Sequence, residues 1–168
     1  MLASSQSDKF QAGGCVRNLF ETTLPTAPFG STGHQSTPVV FGAAALGGMS
    51  QQRADVTMAS IARWGINHID TGASYVASDD RLKPWLANHR TDVFLATKTG
   101  RRSGAGARDE LEKSLKRMGV DHIDMVRFHN LVEDHECEWA HAPGGAVEAI
   151  AGGRWADGEV SGPGKFRW

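Results

Sequence analysis

The sequence predicts an α/β fold with a parallel sheet, and three observations carry that reading. Between Val39 and Ile150, short apolar strands alternate with amphipathic helices. Each strand-to-strand connection is long enough to hold a helix, which is the return a parallel pair needs. The 168 residues, 40% hydrophobic and 22% charged, suit one ordinary globular domain.

The same composition excludes a disordered, collagen-like or coiled-coil chain. No apolar run approaches the roughly 18–20 residues that span a bilayer. A net charge of -1 leaves no global basic field for nucleic acid or anionic lipid, so neither partner is expected. Two cysteines, Cys15 and Cys137, are too few for a disulfide scaffold and suit a reducing cytoplasm.

Residues 1–24 read as a polar tail, expected to be disordered. Within it, Ala12-Gly13-Gly14-Cys15 imitates a lipoprotein cleavage site but lacks an apolar stretch upstream. The folded domain is assigned to residues 25–150. It opens with Pro28-Phe29, a glycine turn from Gly30 to Gly33, and Thr37 to Phe41, which together read as a hairpin. Val39-Val40-Phe41 is the first buried-strand candidate. Ser50 caps a helix whose apolar face is Ala54, Met58, Ile61 and Ala62, and Gly65 stops it.

Ile66 to Ile69 forms a second strand that ends at Asp70. Ser78 then caps a helix with Leu82, Trp85 and Leu86 on one face, although Pro84 sits awkwardly inside it. Asp92 to Thr97 is the third strand, and a loop from Thr99 to Gly106 follows. The next helix shows Ala107, Leu111, Leu115 and Met118 at helical spacing and ends at Gly119. Val120 to Phe128 is the fourth strand, and Ala146 to Ile150 begins the fourth helix.

Each strand end carries a residue that a buried strand does not need. The second ends at Asp70 with Tyr75 five residues on, the third at Lys98, and the fourth at His129. In a parallel sheet such residues converge at the carboxyl edge, where α/β folds place ligands. Any one of them is explained as the polar end of a strand. A set of one acid, one phenol, one ammonium and one imidazole points instead to a shared active site.

These residues also lie in recognisable motifs. They are Gly65-Ile-Asn-His-Ile-Asp70-Thr-Gly-Ala-Ser-Tyr75, Phe94-Leu-Ala-Thr-Lys98-Thr-Gly, Val120-Asp-His-Ile-Asp-Met and His129-Asn130. With Pro28-Phe-Gly-Ser-Thr-Gly-His and Phe41-Gly-Ala-Ala-Ala-Leu-Gly, they resemble the aldo/keto reductases over about residues 25–150. The resemblance implies a (β/α)₈ TIM barrel that reduces an aldehyde or ketone, a small-molecule carbonyl, with NADPH or NADH. Tyr75 would be the general acid that protonates the carbonyl oxygen. Lys98 would stabilise the charge left on the phenol, Asp70 would hold Lys98, and His129 would orient the carbonyl. Cofactor contacts would map to Asp70, Ala43 and Ala44. No metal is implied.

Several residues depart from the pattern or imitate others. Val76 stands where the family usually has glycine, so displacement of the Tyr75 loop is expected. Arg127 precedes His129 by two residues and should share its barrel face, where Asp70 or solvent must compensate its charge. His135, Cys137 and His141 imitate metal-ligand spacing, but they are read as loop residues with acidic neighbours and no second ligand element. Gly100 to Gly106 lacks the Lys-Ser/Thr of a phosphate loop and is read as an ordinary βα connection.

Only about four of eight βα units are present, because a closed barrel takes about 250 residues. After Ile150 the expected helix gives way to a Gly/Trp-rich tail, residues 151–168, without apolar periodicity. A shifted reading frame or truncated gene would explain it. Cofactor binding is then expected to be weakened, since the family takes most of its cofactor grip from strands five to eight. Open sheet edges are expected to drive self-association, with an apolar inner face around Val40, Ile69, Leu95 and Val126 or their neighbours. The alternative to a reductase is a non-catalytic fragment or interaction subunit.

Overall fold

A computed structural model describes residues 24–151. The expected polar tail up to residue 23, and the Gly/Trp-rich segment from residue 152 onward, lie outside the described residues.

A two-stranded hairpin comes first. β1 (Ala27–Pro28) pairs antiparallel with β2 (Gln35–Ser36), with Ala27 opposite Ser36. Gly30 and Gly33 turn the chain between them with φ of 58° and 76°. The second strand lies earlier than the expected Thr37 to Phe41. Pro38 has no N–H to give a ladder, and Val39 and Val40 are 47% and 43% exposed. Pairing resumes only at β3 (Phe41–Gly42), followed by a 3₁₀ turn over Ala43–Gly48 that the sequence did not announce.

The main sheet is parallel, in the order β3, β4 (His68–Asp70), β5 (Phe94–Thr99), β6 (Met125–Phe128). Strand order follows chain order, as it does when each βα unit lays its strand beside the last. Helix α1 (Gln51–Arg63) connects β3 to β4, α2 (Ser78–His89) connects β4 to β5, and α3 (Gly104–Met118) connects β5 to β6. Two short helices follow, α4 (Asp134–His141) and α5 (Ala146–Ala151).

The ends of the helices obey local rules with three corrections. Ser50 caps α1 by accepting from the Arg53 N–H, and Ala54, Met58 and Ile61 are buried while Ala62 is exposed. Ser78 is not a cap. It lies inside the first turn of α2, fully buried, and its hydroxyl donates to the Ala43 carbonyl at 2.7 Å. Helix α2 runs through Pro84 because Leu82 and Leu86 anchor it in the core on either side. Helix α3 starts earlier than expected, at Gly104, with Ser103 accepting from the Gly106 N–H. Gly119 ends it in the left-handed conformation, φ 68°. The stretch His135 to His141, expected as loop, is helical because Glu133 and Glu136 form a reciprocal capping box.

The core lies between the sheet and the helices. Ile69 and Leu95 are fully buried and pack with Leu46, Met58, Leu82, Leu86, Leu111 and Met118. This corrects the expected apolar inner face: Ile69 and Leu95 point to the helix layer, and Val126 packs partly against it. Pleating then sends their neighbours to the other face, which carries His68, Asp70, Phe94, Ala96, Lys98 and Arg127. The hairpin covers the amino end of that face. Phe29 meets the rings of His68 and Phe94 edge-on, at 4.8 and 5.6 Å, and His34 stacks on Phe94 at 4.9 Å. The carboxyl end is left for Asp70, Lys98 and their neighbours.

Candidate active site

Asp70 is the last residue of β4, and Lys98 lies inside β5 rather than beyond its end. Asp70 pairs in register with Ala96, so Lys98 stands one pleat further along on the same face. The Lys98 ammonium donates to Asp70 Oδ2 at 2.6 Å and to the Thr71 carbonyl at 3.0 Å. Both side chains are mostly shielded from water, at 13% and 17% exposure. Arg127, paired in register with Lys98, donates from Nη2 to the other carboxylate oxygen, Asp70 Oδ1. Asp70 and solvent both compensate its charge, as expected, for its side chain is 44% exposed.

Tyr75 sits in the loop after β4. Its backbone N–H bonds to the Gly72 carbonyl, and its own carbonyl accepts from Ser78. Two glycines admit this loop. A Cβ on Gly47 would stand 2.6 Å from the Tyr75 carbonyl oxygen, and one on Gly72 would press the ring at 3.3 Å. Val76 follows with φ 50°, a left-handed conformation that a β-branched residue resists, while its side chain is 80% exposed. The backbone absorbs that strain, and Tyr75 keeps its place beside the other site residues. Lys98 Nζ lies 4.8 Å from the centroid of its ring, and the His129 ring meets it edge-on at 5.5 Å. Among the described residues, no hydrogen bond joins the phenol to Lys98.

His129 follows β6, with its N–H on the Thr99 carbonyl. Its Nδ1 is 3.0 Å from the Ser74 hydroxyl, which leaves Nε2 for another partner. Arg102 buttresses this corner. Its Nη2 donates to the His129 and Asn130 carbonyls at 2.9 and 3.0 Å and pairs with Glu136 at 3.1 Å. Two backbone hydrogen bonds, from Val132 and Glu133, hold the Glu136 carboxyl below the usual range, so it stays charged opposite Arg102. Sequence reasoning missed Ser74 and Arg102. Ser74 could have been suspected as the neighbour of Tyr75, whereas nothing local marks Arg102, whose partners are 27 and 28 residues away.

The four residues expected at the site are thus together. Ala43 and Ala44, expected near the cofactor, differ: Ala43 buries its side chain and gives its carbonyl to Ser78, while Ala44 is exposed. The imitation of a metal site resolves into local contacts. His141 Nδ1 is 2.8 Å from the Cys137 carbonyl, and His135 meets Trp139 edge-on. Among the described residues, no group of three or more His, Cys, Asp or Glu side chains could hold a metal.

Parallel βα units with an acid, a phenol, an ammonium and an imidazole at one sheet edge define a chain on the plan of the (β/α) barrel enzymes. The model of the aldo/keto reductase family matches residues 38–151, and the chain belongs to that family. It is 30% identical over 125 residues to the L-galactose dehydrogenase of Arabidopsis thaliana, covering 66% of this chain and 39% of that protein. It superposes on a Pseudomonas aeruginosa structure assigned to the aldo-keto reductases with a TM-score of 0.71 at 26% identity, covering 80% of this chain and 58% of that one. The holo form of an aldo-keto reductase from Bacillus halodurans gives 0.64 at 25% identity, covering 76% and 46%. The chain therefore spans well under two thirds of the length of each of these relatives. Among the described residues, no helix is long and apolar enough to cross a membrane.

Proposed function

We propose that this chain carries the proton-donating centre of an NAD(P)H-dependent carbonyl reductase acting on an aldehyde or ketone. The observation that supports it best is Tyr75 lying beside both Lys98, at 4.8 Å, and His129, at 5.5 Å. In this reading Tyr75 gives its phenolic proton to the carbonyl oxygen. The Lys98 ammonium beside the ring stabilises the charge left behind, and Asp70 with the Thr71 carbonyl holds Lys98 in place. Ser74 fixes His129 through Nδ1 so that Nε2 orients the carbonyl.

The residues present also fit a nicotinamide. Gly42 lies next to Asp70 in the sheet, and a Cβ there would meet nothing within 4 Å, so the space beside that strand position is open. When bound, the cofactor supplies the hydride. Its binding to this chain is proposed to be weak, because these contacts touch only one end of so long a molecule. Residues 25–150 would form the partial barrel and act in the cytoplasm.

Turnover of an aldehyde panel with NADPH and NADH, comparing the full chain with Tyr75→Phe, tests the reading. Activity should fall by about 10²–10⁴ in the variant. Undiminished turnover would remove Tyr75 from the role.

A second reading, an interaction subunit, is favoured by the edges of the sheet. Among the described residues β3 and β6 each pair on one side only, and an unpaired edge is a template for another strand. Fluorescence titration with NADPH separates the two: saturable binding at micromolar concentration supports the reductase. No binding, with dimers in sedimentation, supports the subunit.

A further inference from the structure

We infer that Arg127 is the recognition group for a carbonyl substrate that carries a carboxylate, an inference that rests on the reductase reading. Arg127 stands directly across from Lys98 in the β5–β6 ladder, and its neighbours Val126 and Phe128 alternate to the helix side. Its side chain therefore lies on the face that carries Asp70 and Lys98, and its guanidinium reaches across to Asp70.

Charge balance does not require it there. Asp70 already has Lys98 on Oδ2 and the Thr71 carbonyl shares the ammonium, so Arg127 on Oδ1 is a second cation on one carboxylate. One negative charge against two positive leaves the cluster with a single positive charge. Nor is the guanidinium saturated. It spends Nη2 on Asp70, while Nε and Nη1 make no hydrogen bond among the described residues and the side chain is 44% exposed. A guanidinium offers five N–H donors in a planar fork that matches a carboxylate. Arg102, the arginine beside His129, spends Nη2 on two backbone carbonyls and Glu136, and its Nε and Nη1 are buried out of reach of a ligand in solvent. Arg127, by contrast, carries its unpaired donors on a side chain that is 44% exposed, on the face of Asp70 and Lys98.

A substrate carboxylate on that fork would lie on the face of Asp70 and Lys98, whose ammonium stands over the Tyr75 ring.

The test compares 4-carboxybenzaldehyde with benzaldehyde on the full chain, as binding by calorimetry or ligand-observed NMR and as kcat/KM. Wild type should favour the carboxylate compound about tenfold, the scale of one hydrogen bond to a charged group. Arg127→Gln should reduce that ratio to near one, and Arg127→Lys should restore part of it. A wild-type ratio near one, or a ratio unchanged in Arg127→Gln, overturns the inference, and the wild-type measurement stands even if a variant fails to fold. Arg127-dependent binding of the carboxylate without turnover supports the recognition role and sinks the reductase reading. Tyr75-dependent turnover with no preference for charge does the opposite.

Discussion

The Nζ of Lys98 stands over the Tyr75 ring, 4.8 Å from its centroid, while its hydrogen bonds run to Asp70 and the Thr71 carbonyl. The ammonium thus acts on the phenol through the ring and through space, held by partners on two sides. Such a cation is attracted to the ring face by roughly 0.5–2 kcal/mol.

Removing that cation should slow chemistry more than it weakens substrate binding. In Lys98→Met, kcat for an aldehyde is expected to fall at least about tenfold with KM moving far less, the pattern of an interaction made mainly in the transition state. Steady-state kinetics check it, and a purely KM effect would make Lys98 a binding residue.

Val76 invites a stability test. A non-glycine residue at φ 50° costs about 1–3 kcal/mol, and the exposed side chain contributes little packing in return. Glycine would remove that strain but lose about 0.5–1 kcal/mol to its greater freedom in the unfolded chain. Val76→Gly should therefore raise stability by up to about 2.5 kcal/mol, read as a higher urea midpoint. A lower midpoint would mean that the loop draws support from the valine side chain.

The hairpin plug should make folding sensitive to acid. Burial first, then the neighbouring His34, lowers the pKa of His68 from its ordinary 6.5. The unfolded chain therefore binds this proton more readily than the folded one. Stability is full above pH 6.5 and falls as pH drops from there toward the lowered value. Urea midpoints at neutral and mildly acidic pH should show the loss, and Ser36→Ala, which removes the hydroxyl 3.0 Å from His68 Nδ1, should change its size. A midpoint constant across that range would rule out His68 as its source.

The orientation of the sheet is open to the same treatment. Leu95 is fully buried among the helices, so Leu95→Ala should cost about 2–5 kcal/mol by cavity formation. Chemical denaturation measures it. A cost under about 1 kcal/mol would place Leu95 on the open face instead.

Much of this molecule follows from local chemistry. The alternation of strands and helices, the stops at Gly65 and Gly119, and the spacing of Asp70, Lys98 and His129 by 28 and 31 residues can all be read along the chain. Periodicity and turn residues act within a few positions, and one βα unit per interval brings the strand ends to one edge. Tertiary structure decided the rest. Period-two alternation assigns Ile69 and Asp70 to opposite faces, but only the packing of Leu82, Leu86 and Leu111 determines which face meets the helices. The sharing of Asp70 between Lys98 and Arg127, the seat of His129 on Ser74, and the clamp of Arg102 join residues 27 to 57 positions apart. Those contacts exist because neighbouring parallel strands lie about 4.8 Å apart in a fixed register, a distance that no residue encodes by itself.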